Sequence, residues 1–339
     1  MKSMQLLGPA AAEQRPLQLV EGPRPDPADD ELLVRVETCG VCRTDLHVVE
    51  GDLTPRRAPL IPGHEVVGRV VGCGRQVTGR QVGDRVGIAW LHRACGRCRF
   101  CGRRQENLCE RPRFTGWEVD GGYAEFARVP AAFAYPMPEG LDPVRAAPLL
   151  CAGIIGYRAY RRSGVQPGGR LGLFGFGGSA HIAIQVARDA GCEVSVFSRG
   201  GSHAELAEEL GAVWVGGAGE HPPHPLDAAI LFAPAGELVL PALEALDRGG
   251  VLAIAGIHLS PIPSLDHARH LTQEREIRSV TANTREDGRA LLALAETIPI
   301  RTHTVAYPLS EANEALLDLK HDRVRGAAVL EIAPPERCV

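Results

Sequence analysis

The sequence predicts an α/β protein with two domains, one irregular and mostly β, the other built on a doubly wound parallel sheet. The chain has 339 residues, 45% of them hydrophobic, which is enough to form two cores. Up to about residue 147, short β-rich runs alternate with glycine and proline turns. From about residue 148, apolar strands alternate with amphipathic helices, a pattern typical of a parallel sheet.

The predicted elements follow this change of pattern. In the first part the predicted strands are LLVRVE, VVGRVVG, VGDRVGI and YAEFARV, and no helix longer than a few turns is expected. In the second part the predicted strands are RLGLF, EVSVF, AVWV, DAAILF and VLAIAG, and the predicted helices are SAHIAIQVARDAG, SHAELAEELG and ELVLPALEALDRGG. Residues 216–227, GGAGEHPPHPLD, are predicted to be a surface loop. After about residue 284 we expect helices EDGRALLALAETI and EANEALLDLK and a strand GAAVLEI.

Four cysteines lie close together in the first part of the chain, with the spacing C-x2-C-x2-C-x7-C. They are Cys95, Cys98, Cys101 and Cys109. Thiolates at these gaps converge on one point, as a closed tetrahedral zinc site requires, and four thiolates leave no position open for a substrate. We therefore predict a structural zinc lobe at about residues 92–112. Disulfides are the alternative, disfavoured because nothing else in the chain indicates a secreted protein.

A second candidate metal site comes from three separate stretches: CGVCRTDLH, PGHEVVG and LLCAGIIGY. Cys42, His64 and Cys151 supply two thiolates and one imidazole. Three protein ligands leave the fourth position of a catalytic zinc for water or substrate. A single buried cysteine or histidine is more often just packed in a core, so the prediction depends on the combination.

A glycine-rich turn, GFGGSAH, lies between a predicted strand and a predicted helix. It contains Gly175, Gly177, Gly178 and Ser179, with Ala180 in the place of a third fingerprint glycine. The first glycine permits a tight turn, the second permits close approach of a pyrophosphate, and the helix N-terminus offers free N–H groups. In this context the motif predicts a dinucleotide-binding Rossmann domain; a turn without a ligand is the alternative.

The end of the second strand indicates which nicotinamide cofactor is used. NAD enzymes carry an acid there to bind the ribose 2′-OH, whereas this strand runs into Ser198 and Arg199. The Arg199 guanidinium can pair with a 2′-phosphate and Ser198 can donate to it, which favours NADP over NAD. The alternative is that Arg199 only covers the adenine of NAD.

These motifs, together with DGGYAEF and the closing RVRGAAVLEI, occur in the order found in zinc-dependent medium-chain alcohol dehydrogenases. The chain resembles this family over nearly its whole length, and the Cys2His set is the one that alcohol dehydrogenases use for their catalytic zinc. The resemblance implies a GroES-like catalytic domain formed by residues 1–147 with 284–339, and a Rossmann domain over residues 148–283.

The resemblance also implies roles for residues around the two predicted sites. Thr44 would be the first group of a proton relay and His47 the last, unless His47 is an ordinary exposed histidine. Asp45 would orient the histidine ligand, and Glu65 would approach the zinc during ligand exchange. The positions implied to bind the cofactor are Arg43, Ile257 and Arg325, with a solvated surface charge as the alternative for each arginine.

The expected activity is hydride transfer between an alcohol and NAD(P). Zinc as a Lewis acid lowers the pKa of a bound hydroxyl from far above neutrality to about 7, so that an alkoxide exists at neutral pH. Trp90 and Leu53 match substrate-pocket positions and suggest a slim apolar slot for a primary alcohol or its aldehyde, although Trp90 could equally be a core residue. Two alternatives remain: a polyol dehydrogenase, disfavoured because Cys151 replaces a carboxylate ligand, and a non-catalytic zinc- and NADPH-binding protein.

Composition limits the partners. A net charge of −4 with both signs interspersed gives no basic stripe for nucleic acid and no field for an acidic membrane. The polar N-terminus and the lack of a long apolar run indicate neither a signal peptide nor a membrane span, so we expect a cytoplasmic protein. It would hold two zinc ions per chain and form a homodimer or homotetramer. The cysteines left over, Cys39, Cys73, Cys192 and Cys338, are expected to be small hydrophobes or, at Cys338, an exposed thiol.

Overall fold

The computed structural model describes residues 1–256 and 258–333. The chain divides into two compact units. The first unit comprises Met1–Cys151, Ala282–Glu296 and Thr302–Val339, and the second comprises Ala152–Thr281 and Thr297–Arg301. The first unit is mostly β and the second contains a parallel sheet with helices, so the predicted fold class is confirmed. Ile257 and Cys338 lie outside the described residues.

The N-terminal part of the first unit contains short strands and few helices. Its strands are β1 (Lys2–Leu6), β2 (Leu17–Glu21), β3 (Glu31–Val41), β4 (Glu65–Cys73), β5 (Arg85–Ile88), β6 (Leu91–Arg93), β7 (Arg113–Phe114), β8 (Phe126–Pro130) and β9 (Tyr135–Pro136). Its helices are α1 (Arg43–Glu50), α2 (Arg99–Gly102) and α3 (Pro143–Ala146).

The second unit alternates strands and helices. Its strands are β10 (Arg170–Phe174), β11 (Glu193–Phe197), β12 (Trp214–Gly216), β13 (Leu226–Leu231), β14 (Leu246–Ile254) and β15 (Glu276–Ser279). Its helices are α4 (Ala152–Ser163), α5 (Ala180–Asp189), α6 (Ser202–Glu209), α7 (Val239–Glu244) and α8 (His267–His270). The strands form a parallel sheet in the order β12-β11-β10-β13-β14-β15. This order reverses direction between β10 and β13, the point at which doubly wound sheets bind dinucleotides.

The last part of the chain contains α9 (Arg285–Thr297), β16 (Thr304–Pro308), α10 (Ala312–Lys320) and β17 (Ala327–Glu331). β16 and β17 join the main sheet of the first unit, whose order is β16-β17-β3-β4-β5-β9, with β8 also paired to β3. The long strand β3 is therefore the centre of this sheet. All of its residues but Glu31 and Arg35 are buried, which explains its run of apolar side chains.

One predicted helix is shorter than expected. The pattern ELVLPALEALDRGG predicts a helix over its whole length, but α7 ends at Glu244 and β14 begins at Leu246. Gly249 has a φ of 69°, and the Arg275 guanidinium donates to the Leu246 carbonyl at 2.7 Å. The contact with Arg275, the positive φ of Gly249 and the low helix propensity of the glycine pair favour a strand where the sequence pattern predicted the end of a helix.

The described helices are all short, and the longest is α9 with 13 residues. Within the described ranges, no helix has the length and apolar character needed to cross a membrane.

Candidate active site and metal centres

The first candidate ligand, Cys42, stands where β3 ends and α1 begins. Its sulfur accepts a hydrogen bond from the Thr44 N–H at 3.3 Å, and its own N–H donates to Asp45 Oδ2 at 2.9 Å. Cys42 thus caps the helix in the way a serine or threonine does elsewhere. The local sequence fixes the sulfur at the helix N-terminus, where the partial positive charge favours a thiolate.

The same aspartate holds the second ligand. His64 is fully buried, and its Nδ1 lies 3.0 Å from Asp45 Oδ1, which also accepts the Gly63 N–H at 3.2 Å. This contact leaves the other ring nitrogen, Nε2, 3.3 Å from the sulfur of Cys42. Gly63 has a φ of 96°, and a Cβ there would lie 2.4 Å from the Tyr123 ring. Glycine is therefore required to place His64.

Cys151 comes from a distant part of the first unit. It follows a single 3₁₀ turn, residues 147–150, and immediately precedes α4. Leu150 is buried against Gly87 of β5, where a Cβ would lie 2.6 Å from a Leu150 methyl carbon. The close contact with β5 fixes the position of the turn and hence that of the cysteine.

Glu65 is the fourth group of this cluster. Its side chain is 2% exposed, and a Cβ at Gly40 would lie 2.0 Å from Glu65 Oε2. Gly40 on β3 therefore makes room for the carboxylate. Ligand atoms of Cys42, His64, Glu65 and Cys151 all lie within 4.8 Å of one another.

The donors fit a zinc ion. Zinc–sulfur and zinc–nitrogen bonds of about 2.3 and 2.0 Å place tetrahedral ligand atoms about 3.5 Å apart, close to the separation of Cys42 Sγ and His64 Nε2. The carboxylate–histidine contact through Asp45 is the support that metal-bound imidazoles usually have. The chain would supply two thiolates, one imidazole and one adjacent carboxylate.

The electrostatics of this cluster favour a cation. Hydrogen bonding to Cys151 lowers the pKa of Cys42 well below that of an ordinary thiol, and the same contact with burial raises the pKa of Cys151 well above it. Burial also raises the pKa of Glu65 well above its usual range. Burial opposes protonation of His64, but the charges of Asp45 and Cys42 outweigh it and raise its pKa. A bound divalent ion stabilises the deprotonated ligands and releases these protons.

The four-cysteine segment forms a second cluster. Ligand atoms of Cys95, Cys98, Cys101 and Cys109 all lie within 4.8 Å of one another. The sulfur of Cys101 is 3.6 Å from that of Cys98 and 4.0 Å from that of Cys95. Four sulfurs bound to zinc at about 2.3 Å lie about 3.8 Å apart, so the arrangement fits a closed tetrahedral site. The disulfide alternative is not observed among the described cysteines, all of which are free.

Hydrogen bonds from backbone N–H groups stabilise the thiolate forms of this cluster, which are the forms that bind a metal ion. Hydrogen bonds from the backbone of Cys101 and Glu110 lower the pKa of Cys98 to about 6. The Cys109 sulfur accepts from the N–H groups of Cys95 and Arg111 at 3.2 and 3.4 Å. The segment is attached to the rest of the first unit by Glu106, which forms an ion pair with Arg285 at the start of α9.

The predicted relay residues lie on α1. Thr44 is buried, 4% exposed, and its backbone N–H donates to the Cys42 sulfur at 3.3 Å. His47 is partly exposed, and its Nδ1 lies 2.9 Å from Asp52 Oδ2. Asp52 was not singled out by the sequence. Its contact fixes the orientation of the imidazole, and the i, i+5 spacing of the pair is the only sequence signal that could have indicated it.

A stack of aromatic side chains begins at His64 of the candidate metal cluster. The Trp90 ring makes an edge contact with His64, with centroids 4.9 Å apart and planes at 70°. Trp90 also stacks on Phe114 and Trp117. Trp90 is only partly buried, and so is Leu53. The sequence indicated Trp90 and Leu53 but missed Phe114 and Trp117, which no spacing pattern connects to His64.

In the second unit, the glycine-rich turn joins β10 to α5. Gly175 has a φ of 86°, and a Cβ there would lie 2.9 Å from Ala233, so the turn requires glycine. Gly177 is exposed and has open space where a Cβ would stand. Gly178 and Ser179 complete the turn, and Ala180 begins the helix. The turn leaves backbone accessible at a helix N-terminus, as a pyrophosphate site requires.

The remaining residues that were predicted to bind the cofactor lie in separate segments of the chain. β11 ends at Phe197, so Ser198 and the exposed Arg199 immediately follow it, close in sequence to Gly200 and Gly201, both with positive φ. Arg325 is also exposed. Arg43 forms an ion pair with Asp322, a partner that the sequence did not indicate. Ile257 lies outside the described residues.

Comparison with known proteins places this site in a family. Residues 28–139 match the family model described as "Alcohol dehydrogenase GroES-like domain", and residues 178–297 match "Zinc-binding dehydrogenase". A probable alcohol dehydrogenase, AdhA, of Mycobacterium tuberculosis is 57% identical over 98% of this chain and 97% of its own length. An alcohol dehydrogenase of Geobacillus stearothermophilus is 36% identical over 94% of this chain and 96% of its own.

Solved structures of alcohol dehydrogenases have a fold similar to that of this chain. A cinnamyl alcohol dehydrogenase of Sorghum bicolor aligns with a TM-score of 0.88 at 27% identity, over 97% of each chain. A thermostable alcohol dehydrogenase of Pyrobaculum aerophilum, with cobalt and zinc bound, aligns with a TM-score of 0.88 at 29% identity, over 98% of this chain and 99% of that one. With the geometry of the two clusters and the glycine-rich turn, these matches show that the chain belongs to the zinc-dependent medium-chain alcohol dehydrogenase family.

Proposed function

We propose that this protein is an NADP-preferring alcohol dehydrogenase that interconverts primary alcohols and aldehydes, with one catalytic and one structural zinc per chain. The observation that carries the proposal is the cluster of Cys42, His64 and Cys151, whose histidine is fully buried and oriented by Asp45. The cluster supports catalysis over a purely structural role because Glu65 is a fourth donor that can exchange with an incoming ligand. Its two cysteines also favour a simple alcohol over a polyol substrate.

The catalytic chemistry is divided between the metal and the chain. Zinc bound to this cluster supplies Lewis-acid activation, which lowers the pKa of an alcohol hydroxyl towards neutrality. The protein residues hold the substrate oxygen and remove its proton. Thr44 is buried beside Cys42 and would hydrogen-bond the substrate oxygen through its hydroxyl. His47, oriented by Asp52 and partly exposed, would pass the proton to solvent.

The cofactor would bind to the second unit. Its pyrophosphate would lie on the turn formed by Gly175, Gly177, Gly178 and Ser179, and its hydride would be transferred at the nicotinamide. Ser198 and Arg199 follow β11, where an NAD enzyme carries an acid, which supports NADP. Arg43 and Arg325 would add positive charge for the phosphates.

Replacing Cys98 tests the structural zinc. Cys98→Ser should lower the zinc content by one ion per chain and lower the Tm, because a three-sulfur site binds zinc more weakly and the lobe depends on it. The measurements are metal analysis and thermal unfolding. Cys73→Ser, at an exposed cysteine outside both clusters, is the matched control and should change neither. A Cys98→Ser protein with full zinc and full stability would reject the assignment.

Replacing His64 tests the catalytic cluster. His64→Ala should abolish turnover, while NADPH binding survives because the glycine-rich turn belongs to the other unit. Binding is measured by fluorescence titration of NADPH, and turnover by absorbance. His267→Ala, at an exposed histidine of α8, should leave both unchanged. If His64→Ala keeps its activity, the catalytic metal has been placed in the wrong cluster.

Replacing Arg199 tests the cofactor preference. Arg199→Ala should weaken NADP binding by about 1.5–3 kcal/mol, the range for a hydrogen bond to a charged group, and leave NAD binding nearly unchanged. Arg248→Ala is a control, because it removes an exposed arginine near the N-terminal end of β14, the edge of the sheet opposite to ligand sites. A constant ratio of NADP to NAD affinity would mean that Arg199 does not contact the 2′-phosphate.

The proton relay is tested by kcat/KM as a function of pH. His47→Gln should slow alcohol oxidation most below about pH 7 to 8, where water is the poorer base and a positioned imidazole contributes roughly 100-fold. At high pH hydroxide removes the proton directly, so the deficit should shrink. Thr44→Ala should cost more at every pH because it also removes the group that positions the substrate oxygen, whereas Thr44→Ser should be mild. A His47→Gln profile parallel to the parent from about pH 6 to 10 would remove His47 from the relay.

A further inference from the structure

Three aromatic rings are stacked beside the candidate catalytic cluster. The planes of Trp90 and Phe114 are 19° apart with centroids separated by 5.0 Å, and those of Trp90 and Trp117 are 12° apart with centroids separated by 6.0 Å. The inner member, Trp90, contacts the ring of His64. The stack therefore begins at a candidate zinc ligand, next to the place where a substrate would react.

The outer member of the stack, Trp117, also holds the loop that carries Leu53. Its indole N–H donates to the carbonyl oxygen of Thr54 at 2.8 Å. The guanidinium of Arg56 lies 5.3 Å from the centroid of the Trp117 ring, within the range of a cation–π contact. Trp117 thus stacks on Trp90, one candidate wall of the substrate pocket, and donates to the backbone of Thr54, the residue that follows Leu53, the other candidate wall.

A second set of contacts connects the same two segments through Asp120, three residues after Trp117. Asp120 accepts the Ile61 N–H at 3.1 Å and pairs with the Arg57 guanidinium at 3.0 Å. The loop is therefore anchored at both ends, at Thr54 by Trp117 and at Ile61 by Asp120. A loop held in this way keeps a fixed distance from Trp90, which is what a selective pocket requires.

Trp90, Phe114 and Trp117 are all partly exposed rather than buried. Part of the apolar surface of each ring therefore remains accessible, and one of the three rings, Trp90, contacts His64. Flat aromatic surface recognises another flat ring through offset stacking or edge contacts, and each such contact adds to the effect of area burial.

We propose that Trp117 is a specificity-determining positioning residue, which fixes Trp90 and the Leu53 loop so that the enzyme selects primary alcohols and aldehydes carrying an aromatic ring next to the reacting carbon. The inference rests on the function proposed above and names its substrate class. Trp117 acts through Trp90 and Leu53, so its loss should affect the choice of substrate more than the chemistry.

The kinetic test compares benzyl alcohol with 1-propanol on the zinc-loaded enzyme. The parent should have the higher kcat/KM for benzyl alcohol. Trp117→Ala should lower that value by about 2- to 12-fold, the effect of losing one aromatic contact, chiefly through KM, and change the value for 1-propanol by less than about twofold. Trp117→Phe, which restores the stacking ring but not the N–H bond to Thr54, should recover only part of the preference. If Trp117→Ala does not fold, Trp117→Leu, which has bulk but no ring, should show the same selective loss.

A spectroscopic test does not depend on activity. The chain has three tryptophans, and the Trp90 ring is stacked on that of Trp117 with centroids 6.0 Å apart. Trp117→Ala should lower the near-ultraviolet circular dichroism by more than the share of one tryptophan, because Trp90 also loses a fixed stacking partner. Trp214→Phe, which removes the tryptophan of the second unit, is the matched control and should leave the signal of Trp90 unchanged.

The outcomes separate the two proposals. Equal losses for both alcohols in Trp117→Ala would make Trp117 an ordinary structural residue and overturn the inference. A parent that oxidises 1-propanol but does not prefer benzyl alcohol would also overturn it, while leaving the proposed function intact. A parent that oxidises neither alcohol would reject the proposed function itself.

Discussion

The candidate active site depends on the hydrogen bonds that the Asp45 carboxylate makes. This carboxylate is 1% exposed and binds three groups from two segments: the Cys42 N–H, the Gly63 N–H and His64 Nδ1. The first segment is the start of α1 and the second is the entry to β4. One buried acid therefore sets the distance between the thiolate and the imidazole. Removing it would leave buried donors unpaired, at a cost of about 1–3 kcal/mol each.

Burial of so many acidic and thiol groups is costly unless a cation is bound. Burial raises the pKa of Asp45 and of Glu65, which shows that their charged forms are poorly solvated. The chain accommodates this crowding through glycines, since Gly40 makes room for Glu65 and Gly63 lets its segment pass Tyr123. The glycines of these motifs thus have a packing reason of their own, independent of any catalytic step.

The sequence predicted what depends on local spacing and could not predict what depends on tertiary contact. The four cysteines from Cys95 to Cys109 lie on one short segment, so their spacing alone predicted that they bind one metal ion. The grouping of Cys42, His64 and Cys151 rested on their combination of residue types, because the separations between them carry no periodic signal, and the distances among their side chains come from the tertiary fold. The same limit explains why α7 was predicted too long: the contact of Arg275 with Leu246, which helps to begin β14, comes from residues far along the chain. The family and the fold class were confirmed, whereas the roles of the site residues stay predictions.

The two clusters use similar ligands but differ in what surrounds them. Cysteines of the four-sulfur lobe accept backbone N–H groups, and the lobe is attached through the Glu106–Arg285 pair. The cluster around His64 instead borders an aromatic stack and a loop held by Trp117 and Asp120. A closed site with backbone donors can stabilise structure and nothing more, because every sulfur is committed. In the proposed function, three ligands would leave a coordination position at the metal, and the partly exposed Trp90 ring beside His64 would supply apolar surface, the two features that binding an alcohol requires.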